Sequence, residues 1–82
     1  MYYSYILYSK SLDKYYVGHT QNLNERLNRH NRSGSKYTSR GQPWEIAYHE
    51  TFDSKELAYE RERQIKGWKS KKMIIKLISQ AG

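Results

Sequence analysis

Nine tyrosines in a chain of 82 residues that has no cysteine set the terms on which this sequence folds. A chain this short buries only about 60% of the surface its unfolded form exposes. With no disulfide or thiolate metal site to brace it, stability comes from one compact core. Tyrosine packs as an aromatic but needs a partner for its hydroxyl, so that core carries many polar handles. Residues 1–82 read as one domain, with no internal repeat, low-complexity segment or linker. No apolar run reaches the roughly 18 residues of a membrane span, and Met1-Tyr2-Tyr3-Ser4-Tyr5-Ile6-Leu7 lacks the basic region and cleavage site of a signal peptide. The expectation is a soluble cytoplasmic domain, and the absence of cysteine fits a reducing compartment.

Charge points to a class of partner. Fifteen Lys and Arg against eight Asp and Glu give a net charge of +7 and a sequence pI near 9.7, the balance of a nucleic-acid binder. The competing reading is charge that merely keeps a small domain in solution.

Local pattern gives the element order. Tyr2 to Ser9 is rich in strand formers. A polar turn, Ser11 to Lys14, separates it from a second short strand, Tyr15 to Gly18, so the two read as a hairpin. Asn22-Leu23-Asn24-Glu25 has the form of a capping box opening a helix from Leu23 to His30. Asn31 to Pro43 is a polar loop. Trp44 to Phe52 alternates apolar and polar residues as a third strand. Asp53-Ser54-Lys55-Glu56 forms a second capping box, opening a helix to about Trp68, and a last helix runs from Lys71 to Ser79. The order β-β-α-β-α-α describes an α+β domain, a small antiparallel three-stranded sheet flanked by helices.

Helical spacing then sorts the polar side chains. In the first helix Leu23 and Leu27 face the sheet and leave Arg26 and His30 at the core margin. An arginine there needs an acceptor for its fork of donors, either a carboxylate or helix end, or a phosphate. His30 serves either a structural hydrogen bond or catalysis. In the second helix Leu57, Ala58, Ile65 and Trp68 form the apolar stripe, with Arg61 among them. Glu62 stands at its border, able either to pair with Lys66 four residues on or to enter a shallow site. The sequence holds no HExxH, acidic cluster or P-loop, so any metal is held by one carboxylate and waters, as magnesium often is.

The run Tyr16-Val17-Gly18-His-Thr-Gln-Asn-Leu-Asn-Glu-Arg26-Leu-Asn-Arg-His30-Asn31 strongly resembles the GIY-YIG endonuclease superfamily, in which a Tyr-x-Gly strand is followed eight residues later by an arginine. The Lys36-Tyr37-Thr38 loop, Pro43-Trp44 and Glu62-x-x-Ile65-Lys66 match in order, so the resemblance covers essentially the whole chain. It departs in two places: Tyr3-Ser4-Tyr5 stands for Gly-Ile-Tyr, and no asparagine lies around Lys76 to Ser79. The resemblance implies a metal-dependent endonuclease that hydrolyses DNA phosphodiesters, nicking one strand per domain. It puts Tyr5 and Tyr16 at the attacking water, Arg26 on the scissile phosphate, His30 in support, and Glu62 on a single Mg²⁺ or Mn²⁺.

Around that site Arg29, Arg32, Lys36, Arg40, Arg63, Lys66, Lys69, Lys71 and Lys72 are expected to hold the nucleic-acid backbone without reading sequence. The partner is DNA, with branched, damaged and single-stranded forms and RNA left open, and no membrane. The chain is expected as a monomer or weak homodimer, working in DNA repair or processing. Two rivals stand beside this reading. One is a catalytically weak binding module in which Tyr37, Trp44 or Trp68 stacks on unpaired bases, and the other is a structural or protein-interaction domain.

Overall fold

A computed structural model of the chain describes residues 1–32 and 40–81. Strands β1 (Tyr2–Ser9) and β2 (Lys14–Thr20) form an antiparallel hairpin, and β3 (Trp44–Phe52) adds antiparallel to the other side of β1. The sheet order is therefore β2-β1-β3. With a neighbour on each side and helices over both faces, β1 is buried continuously from Ser4 to Leu7, as a central strand covered on two faces should be. The β1–β3 register slips between Ile6 and Leu7. The hairpin turn places Asp13 in the left-handed region, φ 52°, which short polar side chains tolerate.

Strand alternation divides the core in two. On one face Tyr5, Leu7 and Trp44 pack with Leu12, Tyr16, Ile46, and Leu23 and Leu27 of helix α1 (Leu23–Arg32). On the other, Ile6 and Val17 meet Ile65 of α2 (Lys55–Gly67) and Ile74, Leu77 and Ile78 of α3 (Lys71–Ala81). The result is a three-layer α+β domain in the expected order. Among the described residues no helix is long and apolar enough to cross a membrane.

The caps refine the sequence reading. Asn22 Oδ1 accepts from Glu25 N at 3.0 Å, starting α1 where expected. Glu25 does not reach back to close the box, and its carboxylate faces Arg29 at 3.4 Å instead. In α2 the cap is Ser54, which accepts from Leu57 N at 3.2 Å, not Asp53. The cap moves by one residue because either side chain has the right oxygen, and with Leu57 at the third helical position no box closes. Strand β2 runs two residues beyond Gly18 and α1 two beyond His30. Past Gly67, Lys69 takes the left-handed conformation that ends α2, φ 49°, a place more often held by glycine.

Candidate active site

Tyr5 and Gly18 are direct partners across the β1–β2 ladder, and their juxtaposition explains the glycine. A Cβ on residue 18 would lie 2.5 Å from the Tyr5 hydroxyl oxygen and 2.7 Å from Cζ. The phenol thus lies across the bare Cα, 1% exposed, and its hydroxyl makes no hydrogen bond among the described residues. Burial pushes its pKa up to about 12 against the opposing pull of Arg26, so the group stays protonated at neutral pH and is a donor.

Tyr16 of β2 stacks on Tyr5 with centroids 6.5 Å apart and receives the edge of His30 at 4.6 Å. His30 is 8% exposed. Burial first, then the charges of Arg26 and Arg29, hold its pKa below the ordinary value, so it sits as a neutral ring behind Tyr16. Asn31 fixes the next contact: its Nδ2 donates to the Trp44 carbonyl at 3.0 Å and its Oδ1 accepts from Trp44 N at 2.6 Å. One side chain thereby joins the end of α1 to the start of β3.

From α2, Glu62 reaches the edge strand β2. It is 8% exposed, with Oε1 at 2.5 Å from His19 Nδ1 and Oε2 at 2.7 Å from Lys66 Nζ. Burial raises its pKa, but the hydrogen bonds and charges of Lys66 and His19 outweigh burial and hold it below the usual carboxylate value. The i+4 pair with Lys66 and the approach to a shallow site, alternatives in the sequence, are therefore both present. Lys66 Nζ also stands 6.0 Å above the Tyr16 ring, which sets the Glu62–Lys66 pair beside Tyr16. Four elements, β1, β2, α1 and α2, thus bring Tyr5, Tyr16, Arg26 and Glu62 into one neighbourhood. Beside it lies an open cleft lined by His19, Arg26, Arg29 and Lys55.

The remaining basic residues are more dispersed. Arg63 lies over the Tyr59 ring at 5.8 Å on the same side of α2. Arg32 and Arg40 are exposed. Lys69, Lys71 and Lys72 are exposed around the start of α3. Lys71 Nζ is tied to the Asp13 carboxylate at 2.6 Å and carbonyl at 2.8 Å, at the hairpin turn, the opposite end of the ladder from His19. Lys36, with Tyr37, lies outside the described residues. Sequence reasoning missed His19, Lys55 and Asn31. The available signal for His19 was alternation, which puts it on the Val17 face of β2, toward α2.

A divalent cation fits this donor set in one form. Among the described residues no three His, Cys, Asp or Glu side chains gather as a metal cage. Glu62 is ionised and its partner His19 lines the cleft; a cation there would displace the half-exposed Lys66 ammonium from its other oxygen. One carboxylate completed by water is a known way to hold Mg²⁺.

Residues 1–75 match the family model described as the GIY-YIG catalytic domain. The chain is similar to a UPF0213 protein of Bacillus pumilus (strain SAFR-032), 43% identical over 70% of this chain and 59% of the relative, so it spans under two thirds of that protein's length. It is also similar to UPF0213 protein SSP2268 of Staphylococcus saprophyticus, 38% identical over 79% of each. A UPF0213 protein of Staphylococcus aureus (strain Mu3) is 35% identical over 72% of this chain and 73% of the relative. No solved structure matches.

Proposed function

Because the chain belongs to the GIY-YIG family, a family of nucleases acting on nucleic acid, we propose that it is a divalent-metal-dependent endonuclease that nicks one strand of DNA, in repair or processing in the cytoplasm. The observation that supports this reading is the meeting of Tyr5, Tyr16, Arg26 and Glu62 from four separate elements beside a basic cleft.

In this scheme water attacks phosphorus and gives up its proton to solvent, the bond to a sugar oxygen breaks, and that oxygen takes a proton from solvent. Arg26, partly buried at the margin of the cleft, takes a non-bridging phosphate oxygen in its fork and stabilises the charge that grows there. The Tyr5 hydroxyl, protonated and beside Arg26, donates a hydrogen bond that holds the nucleophile, and Tyr16 forms the wall against which it is aimed. His30, neutral, braces Tyr16. Glu62 would hold one Mg²⁺ or Mn²⁺, which when bound supplies an activated water and a counter-charge for the leaving oxygen. His19 fixes the Glu62 carboxylate in orientation. Arg29 and the missed Lys55, which line the cleft, are proposed as backbone contacts, together with Lys66 and Arg63 of α2. Arg32, Lys36, Arg40, Lys69, Lys71 and Lys72 are proposed as outlying ones, and Lys71 must first leave Asp13. The protein is proposed to act as a monomer or weak homodimer.

The pairing of Lys66 with Glu62 favours one second reading, a binding module whose own ammonium satisfies the carboxylate. Supercoiled plasmid separates the two. The nuclease converts it to open circle with Mg²⁺ or Mn²⁺ and not in EDTA, whereas the binding module retards it and leaves it closed.

A further inference from the structure

Stacking on an unpaired base, where it occurs in this domain, needs an open aromatic face, and the aromatic residues singled out in the sequence do not offer one. Trp44 is 1% exposed, wedged against Gly41, where a Cβ would come within 2.4 Å of its ring. Trp68 is half-buried with the Arg61 guanidinium over it at 5.6 Å, and Tyr37 lies outside the described residues. Among the described residues Tyr59 is the one Tyr, Trp or Phe that is exposed, at 45%; like Trp68 it carries a guanidinium, that of the exposed Arg63 at 5.8 Å, so what sets it apart from Trp68 is its exposure.

Its position is informative. Tyr59 lies one turn after Lys55 and three residues before Glu62, so it shares the face of α2 that carries the site. Its ring meets His19, the partner of Glu62, at 5.3 Å and 65°. Together His19, Lys55, Glu56 and Tyr59 line an open cleft, which shares His19 and Lys55 with the basic cleft of Arg26 and Arg29. The two clefts differ in charge. In the basic one, Arg26, Arg29 and Lys55 outnumber the one carboxylate, Glu25, which is paired with Arg29, and suit a phosphate. The Glu56 carboxylate repels a phosphate from the Tyr59 side and offers an acceptor for the amino hydrogens of a base.

Resting on the nucleic-acid reading of the site, we propose that Tyr59 is a stacking platform for an unpaired nucleobase, seated while the adjoining phosphate lies in the Arg26–Arg29–Lys55 cleft. Residues one turn apart on a helix stand about 5–6 Å from each other at Cβ, so Lys55 and Tyr59 engage the phosphate and base of a single nucleotide. A base locked inside a duplex cannot turn its face to this ring. The site therefore takes nucleic acid whose strand is unpaired where it crosses α2. Every base has a π-face, so the platform selects unpairedness and not sequence.

The test is binding without metal, which keeps it separate from any failure of catalysis. Fluorescence anisotropy in EDTA at low salt would compare a labelled 15-mer of thymidine with a labelled duplex of the same length, for wild type, Tyr59→Ala, Tyr59→Leu and Tyr59→Trp. Tyr59→Ala and Tyr59→Leu are expected to weaken single-strand binding about tenfold, the loss of one base–aromatic stack, with duplex binding changed less than about twofold. Tyr59→Trp should bind the single strand at least as well as wild type. Equal losses on both substrates, retention in Tyr59→Leu, or no binding of the single strand by wild type would each overturn the proposal. Matching melting curves for the four proteins assign any loss to the exposed ring and not to the fold. If the plasmid stays closed while this pattern holds, the nuclease reading fails and the platform stands.

Discussion

Replacing Gly18 by alanine attacks the closest approach on which the site is built. The added Cβ would stand 2.5 Å from Tyr5 Oη, 2.7 Å from Cζ and 3.1 Å from Cε2, where carbon–carbon contacts are comfortable at about 3.5–4.0 Å. Relief requires the ring to move by about 1 Å. Tyr5 has nowhere to go, since it is 1% exposed and stacked on Tyr16, which in turn abuts His30 and Trp44. The backbones cannot separate without breaking the β1–β2 ladder. Overpacking of this kind costs about 1–3 kcal/mol, and the buried, stacked ring puts Gly18→Ala in the upper half of that range. For a domain of this size each kcal/mol lowers Tm by about 4–8 °C, so the expected fall is about 8–24 °C by circular dichroism. In a Tyr5→Phe background the contact to Oη is gone but that to Cζ remains, so the penalty should shrink without vanishing. A Tm within about 2 °C of wild type, or an equal penalty in both backgrounds, would refute the packing of Tyr5 over Gly18.

Asn31→Ala removes both hydrogen bonds to the Trp44 backbone and should cost about 1–3 kcal/mol, read as a lower urea midpoint. Asn31→Asp keeps the acceptor for Trp44 N but cannot donate to the carbonyl, and should fall between. Stability should also respond to acid in two stages. The His30 pKa in the fold lies below its ordinary value of 6.5, so the unfolded chain takes the proton first and stability declines as pH falls below about 6.5. The Glu62 contribution, present above its ordinary value of 4.5 because the folded pKa is lower, is lost in a second stage below it. His30→Gln should flatten the first stage of a urea-midpoint profile between pH 7 and 5, and an unchanged slope would contradict the neutral, buried imidazole.

What the sequence made legible was whatever is local. The alternation of Trp44 to Phe52 and the strand-forming run of Tyr2 to Ser9 mark β3 and β1 at the residues where they occur. The Asn22 side chain marks the start of α1 because capping involves neighbours a few residues apart. Arg26 and His30 fall at the core margin by helical period alone, although the actual burial of His30 needed the ring of Tyr16 and the shield of Trp44. Contacts between elements were not legible. His19 and Glu62 are 43 positions apart, and no period in either segment points to the other. The Asn31 clamp depends on where a loop returns the chain. Trp44 is an open ring in sequence and a buried one in the fold because it opens β3 on the face covered by α1. Tyr59 is off the apolar stripe of α2, a fact visible in the spacing, but its value lies in the cleft it borders.

The central claim, that Glu62 and the cleft beside it carry a metal-dependent nuclease, is tested most directly by single-turnover nicking of supercoiled plasmid with Mg²⁺. Wild type and Glu62→Gln would be compared at saturating protein, with folding and DNA affinity matched beforehand. Glutamine keeps the shape of the side chain and one acceptor oxygen while removing the charge that would hold the cation. Nicking by wild type that vanishes in EDTA and falls by about 100-fold or more in Glu62→Gln is the predicted result. A Glu62→Gln rate within a few fold of wild type, or nicking that persists in EDTA, would contradict the claim.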